Sequence, residues 1–292
     1  MKEKKIFALG FFDGVHKGHQ ALLTACRDLA TEYGCQCGVV TFSQHPDTLV
    51  LGSTPKLINT AADRQRLLSA MGAEHIATFP FDEKLMTMPY TEFLEMLLAQ
   101  GAAGFVCGAD FRFGHKGEGN GEKLTQFCIQ QNLPCCVVDD QLIDGVRVSS
   151  THIRQLLENG HMEDAVRFLG HPHILTGEVI SGRHIGRTIG VPTANILIPH
   201  DLIVPKFGVY ACRAWVGDKD YVAVTNIGTR PTVDGQGVTV EPWILDFDGD
   251  LYGKEITLEF YAFLRPERKF DSLEELKDQI QKDARQARNL LK

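Results

Sequence analysis

The chain is predicted to fold as an α/β unit followed by a β unit, and three observations carry that reading. Apolar β-rich runs alternate with helix-like segments through the first half, closely spaced strands follow without helices from about His171, and a helical period closes the chain. Alternation implies parallel strands joined by crossover helices, whereas short consecutive strands imply an antiparallel barrel. The 292 residues, 43% hydrophobic and 23% charged, suffice for two cores. The change of pattern predicts domains of 1–170 and 171–292.

In order, KKIFALG, CGVVTF, HIATFPF, GFVCG and CCVVDD are the expected strands of a parallel sheet. SSTHIRQLLENG and HMEDAVRFLG then read as two short helices, each followed by a glycine suited to a C-terminal cap. HILTGEVIS, TANILI, GVYACRAWV, DYVAVTNIG, VTVEPWILDF and EITLEFYAFL supply six barrel strands, with GDKD and DFDGD as turns between some of them. Ser272 and Glu275 form a capping box, and Leu273, Leu276, Ile280, Ala284, Ala287 and Leu291 share one face of a terminal helix.

The net charge of −7 argues against extended nucleic-acid or anionic-membrane surfaces while leaving room for a local phosphate pocket. Glycine and Asp13 come too soon for a secretory segment, and no run of about 18 apolar residues occurs, which points to the cytoplasm. The eight cysteines (26, 35, 37, 107, 128, 135, 136, 212) show no zinc-site CxxC pair and are expected to be reduced thiols, mostly buried.

GFFDGVHKGHQ (10–20) places Gly10, Asp13, Gly14, His16, Gly18 and His19 directly after the first strand, where a parallel sheet opens its ligand crevice. Backbone N–H groups at the following helix start attract phosphate. His16 and His19, at i and i+3, can share one side of the first helical turn and donate to phosphate oxygens as charge moves to a leaving pyrophosphate. The bland alternative, two histidines capping a turn, is not separated from this by HxGH alone. In its strand-to-helix context the segment resembles the nucleotidylyltransferase superfamily, which implies a Rossmann-like domain activating ATP at its α-phosphate. No Walker A motif is present. Such sites have a second half at a later helix start, and RVSSTHIR (147–154) fits. Ser149, Ser150 and Thr151 offer hydroxyls, and with Arg147 and Arg154 they are expected to grip the outer phosphates. Read alone, this is a capped helix with a solvated arginine.

GADFRFG (108–114) narrows the likeness. FVCGADFRFGHKGEGN is similar to a loop of bacterial bifunctional riboflavin kinase/FAD synthetases, which implies that Asp110 and Phe111 help place FMN. TFSQHP (41–46) also resembles a family segment and implies His45 on the FMN side, with Gln44 where proline is usual.

In the second half, Thr193 of PTAN offers a hydroxyl and Asn195 an amide oxygen, hard donors suited to Mg²⁺ and phosphate, and Gly182, Gly186 and Gly190 permit close backbone approach. PTAN alone also reads as a plain turn entering a strand. GEVISGRHIGRTIGVPTANI resembles the nucleotide segment of riboflavin kinases, and EPWILDFDGDLYG the stretch that contains their general base, which implies Glu241 in that role. NIGTRPT, with Asn226 and Arg230, is implied as a flap binding ATP or flavin. Val191, Val233 and Trp243 depart from the residues usual in the family.

The resemblance covers essentially the whole chain. It implies phosphorylation of riboflavin to FMN by the second domain and adenylylation of FMN to FAD by the first, with ATP as co-substrate and Mg²⁺ as cofactor. The implied partners are small molecules, with no nucleic acid, no membrane and at most transient self-association. The rival readings are a monofunctional FAD synthetase with an inactive flavin-binding kinase domain, and a flavin-binding regulator.

Overall fold

The computed structural model describes residues 3–180, 192–232 and 235–292, the side chains of 230–232 and 235–236 excepted. Residue contacts divide the chain into two compact units, 1–57 with 61–150, and 58–60 with 151–292.

In the first unit, β1 (Lys5–Leu9), β2 (Gln36–Phe42), β3 (His75–Phe79), β4 (Ala102–Gly108) and β5 (Cys135–Val138) form a parallel sheet in the order β3-β2-β1-β4-β5. The helices are α1 (Lys17–Glu32), the single turn α2 (Asp47–Val50), α3 (Ala61–Ala70), the single turn α4 (Glu83–Met86), α5 (Tyr90–Ala99) and α6 (Gly121–Gln131). Successive side chains of a strand face opposite ways. Ile6 and Ala8 accordingly join a core with Leu23 and Cys26 of α1 and Leu68 of α3. Phe7 and Leu9 join the opposite core with Leu94 and Leu97 of α5 and Leu124 of α6. Strand order reverses between β1 and β4, so the crevice past their carboxyl ends is the topological switch point where ligands bind in open α/β sheets.

Sequence reading missed the small hairpin β6 (Leu142–Ile143) and β7 (Val146–Arg147). Its Asp144-Gly145 turn takes φ of 51° and 78°, the left-handed pair that a two-residue hairpin loop demands and that Asp-Gly favours.

The helices α7 (Ser150–Asn159) and α8 (Met162–Leu169) follow, and the contact division falls just after Ser150. Gly170 caps α8 in the left-handed region, φ 79°, donating its N–H to Val166 O. As predicted, the remaining strands are antiparallel: β8 (His173–Glu178), β9 (Ile196–Leu197), β10 (Gly208–Val216), β11 (Lys219–Thr232), β12 (Gly235–Ile244) and β13 (Glu255–Arg265). Among the described residues they order β8-β13-β10-β11-β12-β9. The two edges approach where Ile180 N–H donates to Asn195 O at 2.9 Å, so the sheet nearly closes on itself.

A terminal helix, α9 (Leu273–Leu290), lays Ala284, Ala287 and the following Leu291 on Val209, Ala211, Val224 and Ala262. Leu273 departs from the expected stripe, being 63% exposed; it is the first helical residue, and the buried face begins beyond it. Ser272 Oγ accepts from Glu275 N–H at 3.1 Å, but Glu275 returns its bond to Asp271 N–H, one residue before the cap. Farther along, buried Asp283 takes Arg265 of β13 in a bidentate pair, Nη2–Oδ2 2.8 Å, and Gln279 Nε2 completes the carboxylate's bonding.

All eight cysteines are free thiols and none is exposed.

Closure of the barrel leaves no space at Gly177, where a Cβ would stand 2.5 Å from Ile196 Cγ2. Gly177→Ala is expected to destabilise this unit by about 1–3 kcal/mol through overpacking. Urea unfolding reads the change directly; an unaltered midpoint would show that the two edges do not meet this closely.

Candidate functional site

In the first unit the chain leaves β1 through a cramped turn. Phe12 (φ 63°), Gly14 (φ 78°) and Val15 (φ 38°) all have positive φ, which costs about 1–2 kcal/mol at each residue other than glycine. Side chains hold its carbonyls: Thr41 Oγ1 donates to Phe11 O at 2.9 Å, Ser150 Oγ to Asp13 O at 2.9 Å, and Gln20 Nε2 to Val15 O at 3.0 Å. Gly10 lies against the Phe12 ring, with a built Cβ 3.0 Å from it.

The turn delivers His16 as the N-cap of α1. Its Nδ1 accepts from His19 N–H at 3.3 Å, which leaves the proton of the neutral ring on Nε2. The two rings stack at 3.6 Å and 13°, so the histidines do share one side of the first turn. Gly18 is the residue that permits this, since a Cβ there would lie 3.1 Å from His16 Cε1 and Nδ1. Desolvation, followed by the charges of His16 and Arg64, holds the His19 pKa well below the usual histidine value.

Arg64, on α3, was missed by motif reading. It is 3% exposed, donates Nη2 to Phe42 O at 2.8 Å and stacks on Phe11 at 4.2 Å. Its sequence signal is faint: it stands four residues before buried Leu68, on the apolar face of its helix.

Beside this turn opens a cavity of about 800 Å³ walled by Phe11, Phe42, Phe81, Phe93, Phe111 and Phe113, with Arg112, His115 and Lys116 also among its lining residues. That volume suits an aromatic ligand of drug size. Phe111 thus reaches the cavity wall. His45 and Asp110 do not line it: His45 Nδ1 accepts from Asp47 N–H at 3.1 Å with its ring edge-on to Phe11, and Asp110 is ion-paired with Arg147. Arg147 also bonds Asp140, Nε–Oδ2 2.9 Å. Ser149 precedes α7 and Ser150 begins it, while Thr151 and Arg154 lie on its first turns and belong to the unit that contains the barrel.

In that second unit four of the described motif residues converge. Thr193, Asn226, Glu241 and Trp243 line one cavity of about 280 Å³, together with Glu267, Phe270, Leu276 and Ile280. Asn226 and Glu241 are directly opposite in the β11/β12 ladder. Thr239 Oγ1 donates to Glu241 Oε1 at 3.4 Å, and Asn226 Nδ2 to Glu267 Oε1 at 3.2 Å, a contact that motif reading also missed. Thr193 borders a second cavity of about 250 Å³ that Asp248, Asp250 and Tyr252 also line. Asn195 is buried and lines neither of these two cavities. The NIGTRPT stretch is strand, Arg230 pairing with Gly237 in the ladder, though its side chain lies outside the described residues, as do Gly182, Gly186, Gly190, Val191 and Val233.

With this geometry in place, comparison decides the family. The FAD synthetase family model matches residues 1–152 and the riboflavin kinase model residues 169–291. The bifunctional riboflavin kinase/FMN adenylyltransferase of Listeria monocytogenes is 35% identical over 97% of this chain and 91% of its own length. The chain belongs to the bifunctional riboflavin kinase/FMN adenylyltransferase family. Its Bacillus subtilis relative is likewise 35% identical, over 97% of this chain and 92% of that protein. A crystal structure from Streptococcus pneumoniae, described as a macrolide-efflux protein, shares the fold with TM-score 0.90 and 30% identity over 99% of this chain and 95% of that one. Among the described residues here, no helix is long and apolar enough to cross a membrane.

Because His19 is depressed in the folded state, its contribution to stability is complete above about pH 6.5 and is lost as the pH falls through the folded value. Ring chemical shifts of His19 are expected to stay those of neutral imidazole down to about pH 6. A midpoint at or above the free-histidine value would contradict the burial argument.

Proposed function

We propose that the family's two activities are divided at about residue 170, with 171–292 transferring the γ-phosphate of ATP to riboflavin and 1–170 transferring AMP from a second ATP to the resulting FMN. Riboflavin and ATP give FMN and ADP; FMN and ATP give FAD and pyrophosphate. The observation that carries this assignment is the convergence of Thr193, Asn226 and Glu241 on one cavity.

For phosphorylation, the flavin occupies the cavity with Glu241, Trp243 and Phe270, and the nucleotide the one with Asp248, Asp250 and Tyr252. Thr193 stands in the wall common to both, where the 5′-hydroxyl and the γ-phosphate have to meet. Glu241 accepts the hydroxyl proton. The hydroxyl of Thr193 and amide oxygen of Asn195, near a cavity that also presents two aspartates, are hard donors that fit Mg²⁺, whose charge would neutralise the phosphates. Gly182, Gly186, Gly190 and Arg230 complete ATP and flavin binding. Trp243 lines the cavity without filling it, and Thr193 and Glu241, which phosphoryl transfer needs and mere flavin binding does not, line the same cavity.

For adenylylation, the FMN ring enters the phenylalanine-walled cavity against Phe111, with His45 acting from behind Phe11 and Asp110 from outside the lining, and its phosphate is itself the nucleophile. No enzymic base is needed. Gly10, Asp13, Gly14 and Gly18 shape the turn on which ATP rests, and His16 donates through Nε2 to the charge developing on the α-phosphate, with neutral His19 beside it. Arg147, Ser149, Ser150, Thr151 and Arg154 hold the departing pyrophosphate. Binding ATP in this way requires Arg147 to loosen from Asp110 and Asp140. The partners are small molecules rather than nucleic acid, and the setting is cytoplasmic.

His16→Ala is expected to lower FAD formation by about 100-fold or more, the scale for loss of a positioned donor, with kinase activity retained. Equal loss of both activities would refute separate sites. Glu241→Gln is expected to abolish FMN formation while FMN-to-FAD conversion stays near normal, and unimpaired phosphorylation would remove Glu241 from the role of base.

A further inference from the structure

Strand β12 is a partition between the two cavities of the second unit. Side chains of a strand alternate in direction. Glu241 and Trp243 accordingly line the cavity assigned to the flavin, while Pro242 and Ile244 line the one assigned to the nucleotide. The flavin cavity has a polar and an apolar end. Thr193 stands beside Glu241, because the next residue, Ala194, donates its N–H to Pro242 O at 3.0 Å, and Asn226 is opposite Glu241 in the ladder. Two residues along the strand, Trp243 is opposite Val224 and packs on the cluster that joins Val209 and Val224 to Ala284 of α9. Ile280, one turn of α9 before Ala284, adds to the apolar end. Same-face positions on a strand are about 7 Å apart, comparable to the reach of the five-carbon ribityl chain that separates a flavin ring from its 5′-hydroxyl. The Phe270 ring in the same lining already carries cations, Arg268 at 4.6 Å and Arg265 at 5.7 Å from its centroid.

We propose that Trp243 is the platform on which the isoalloxazine ring stacks, and that it selects the flavin for the kinase by holding the ring one same-face position from Glu241, so that the ribityl chain lays its 5′-hydroxyl at that carboxylate. The inference rests on the reading of this cavity as the kinase's flavin site. An indole presents a large, electron-rich face, the match for the electron-poor oxidised isoalloxazine, and stacking of this kind reads the plane of a ring rather than its edge. Trp243 stands apart from the transferring phosphoryl group. Its contact with the ring is therefore equally strong before and during transfer, and it sets KM for riboflavin rather than kcat. Trp243 is also one of the positions at which this chain departs from the residue usual in its family, whereas Thr193 and Glu241 keep to it. The platform is thus a feature of this chain's own flavin selection, separate from the machinery of transfer.

The test uses the full chain with Trp243→Leu and Trp243→Phe, the second keeping an aromatic ring against α9 so that the fold is retained. Two readouts are taken. Steady-state FMN formation gives kcat and KM for riboflavin and for ATP, and the fluorescence of protein-bound riboflavin, with the bound fraction fixed by equilibrium dialysis, reports ring contact. An indole stacked on an excited isoalloxazine lends it an electron and takes it back, which extinguishes the emission without net chemistry; phenylalanine and leucine do not. Wild-type protein is expected to quench bound riboflavin, and both variants to restore the emission. Trp243→Leu is expected to raise KM for riboflavin about 10-fold or more, with kcat, KM for ATP and FMN-to-FAD conversion near normal, and Trp243→Phe to recover most of the affinity. Bound riboflavin as bright on wild-type protein as on Trp243→Leu would overturn the proposal. So would a Trp243→Leu protein with unaltered KM for riboflavin but a lowered urea midpoint, since Trp243 would then only pack α9. Riboflavin quenched by wild-type protein but not converted to FMN with ATP and Mg²⁺ would leave the platform standing and reject the phosphorylation reading instead.

Discussion

The turn from Gly10 to His16 must carry the chain from the end of β1 into α1 at the switch point of the sheet, and it does so with two non-glycine residues at positive φ. Such a backbone persists only where its surroundings over-determine it. Here three carbonyls in alternation, those of Phe11, Asp13 and Val15, are each taken by a side chain from a different element: β2, the start of α7 and α1. Because the Phe11 ring is placed by the same turn, the aromatic cavity, the stacked histidines and the Arg64 guanidinium all take their positions from it. Ser150 serves first as a strut of this turn, whatever its hydroxyl also offers to a nucleotide.

In the barrel the equivalent constraint is strand register. Asn226 and Glu241 face each other across β11 and β12, and a slip of one residue turns every side chain of a strand to the opposite face. That pairing sets Glu241 on the cavity side, and α9 encloses the cavity by adding Leu276 and Ile280. The helix is fastened by the Arg265–Asp283 pair, whose rupture would strand a buried charge at a cost of about 3–5 kcal/mol. Chemistry and cover are therefore tied to the same two structural facts, one in the ladder and one between β13 and the helix.

Much of this was legible in the sequence because the signals were local. Period-2 and helical patterns disclose the parallel and antiparallel sheets and the terminal helix, and HxGH and PTAN mark the segments to which phosphate chemistry is assigned under the proposed function. What escaped was set by packing. Arg64 belongs to no local string that marks it, and Glu267 lies in FLRPERKF, a stretch that resembles the family's closing segment without marking that residue; both matter because α3 and the segment after β13 are folded against the sites. The left-handed Phe12 and Val15 were equally hidden, since nothing in their side chains asks for that conformation. The β6/β7 hairpin is a different case, because its Asp-Gly turn is a local signal but its strands, two residues each, are too short to show a period.

The central claim is that one chain performs two consecutive ATP-dependent steps on a flavin. Incubating the purified protein with ATP and Mg²⁺, with riboflavin in one sample and FMN in another, and resolving the flavins by chromatography over time tests it most directly. The account predicts FMN and then FAD from riboflavin, and FAD alone from FMN. FAD from FMN with no product from riboflavin would contradict the kinase assignment, and no product in either sample from folded protein would contradict the account as a whole.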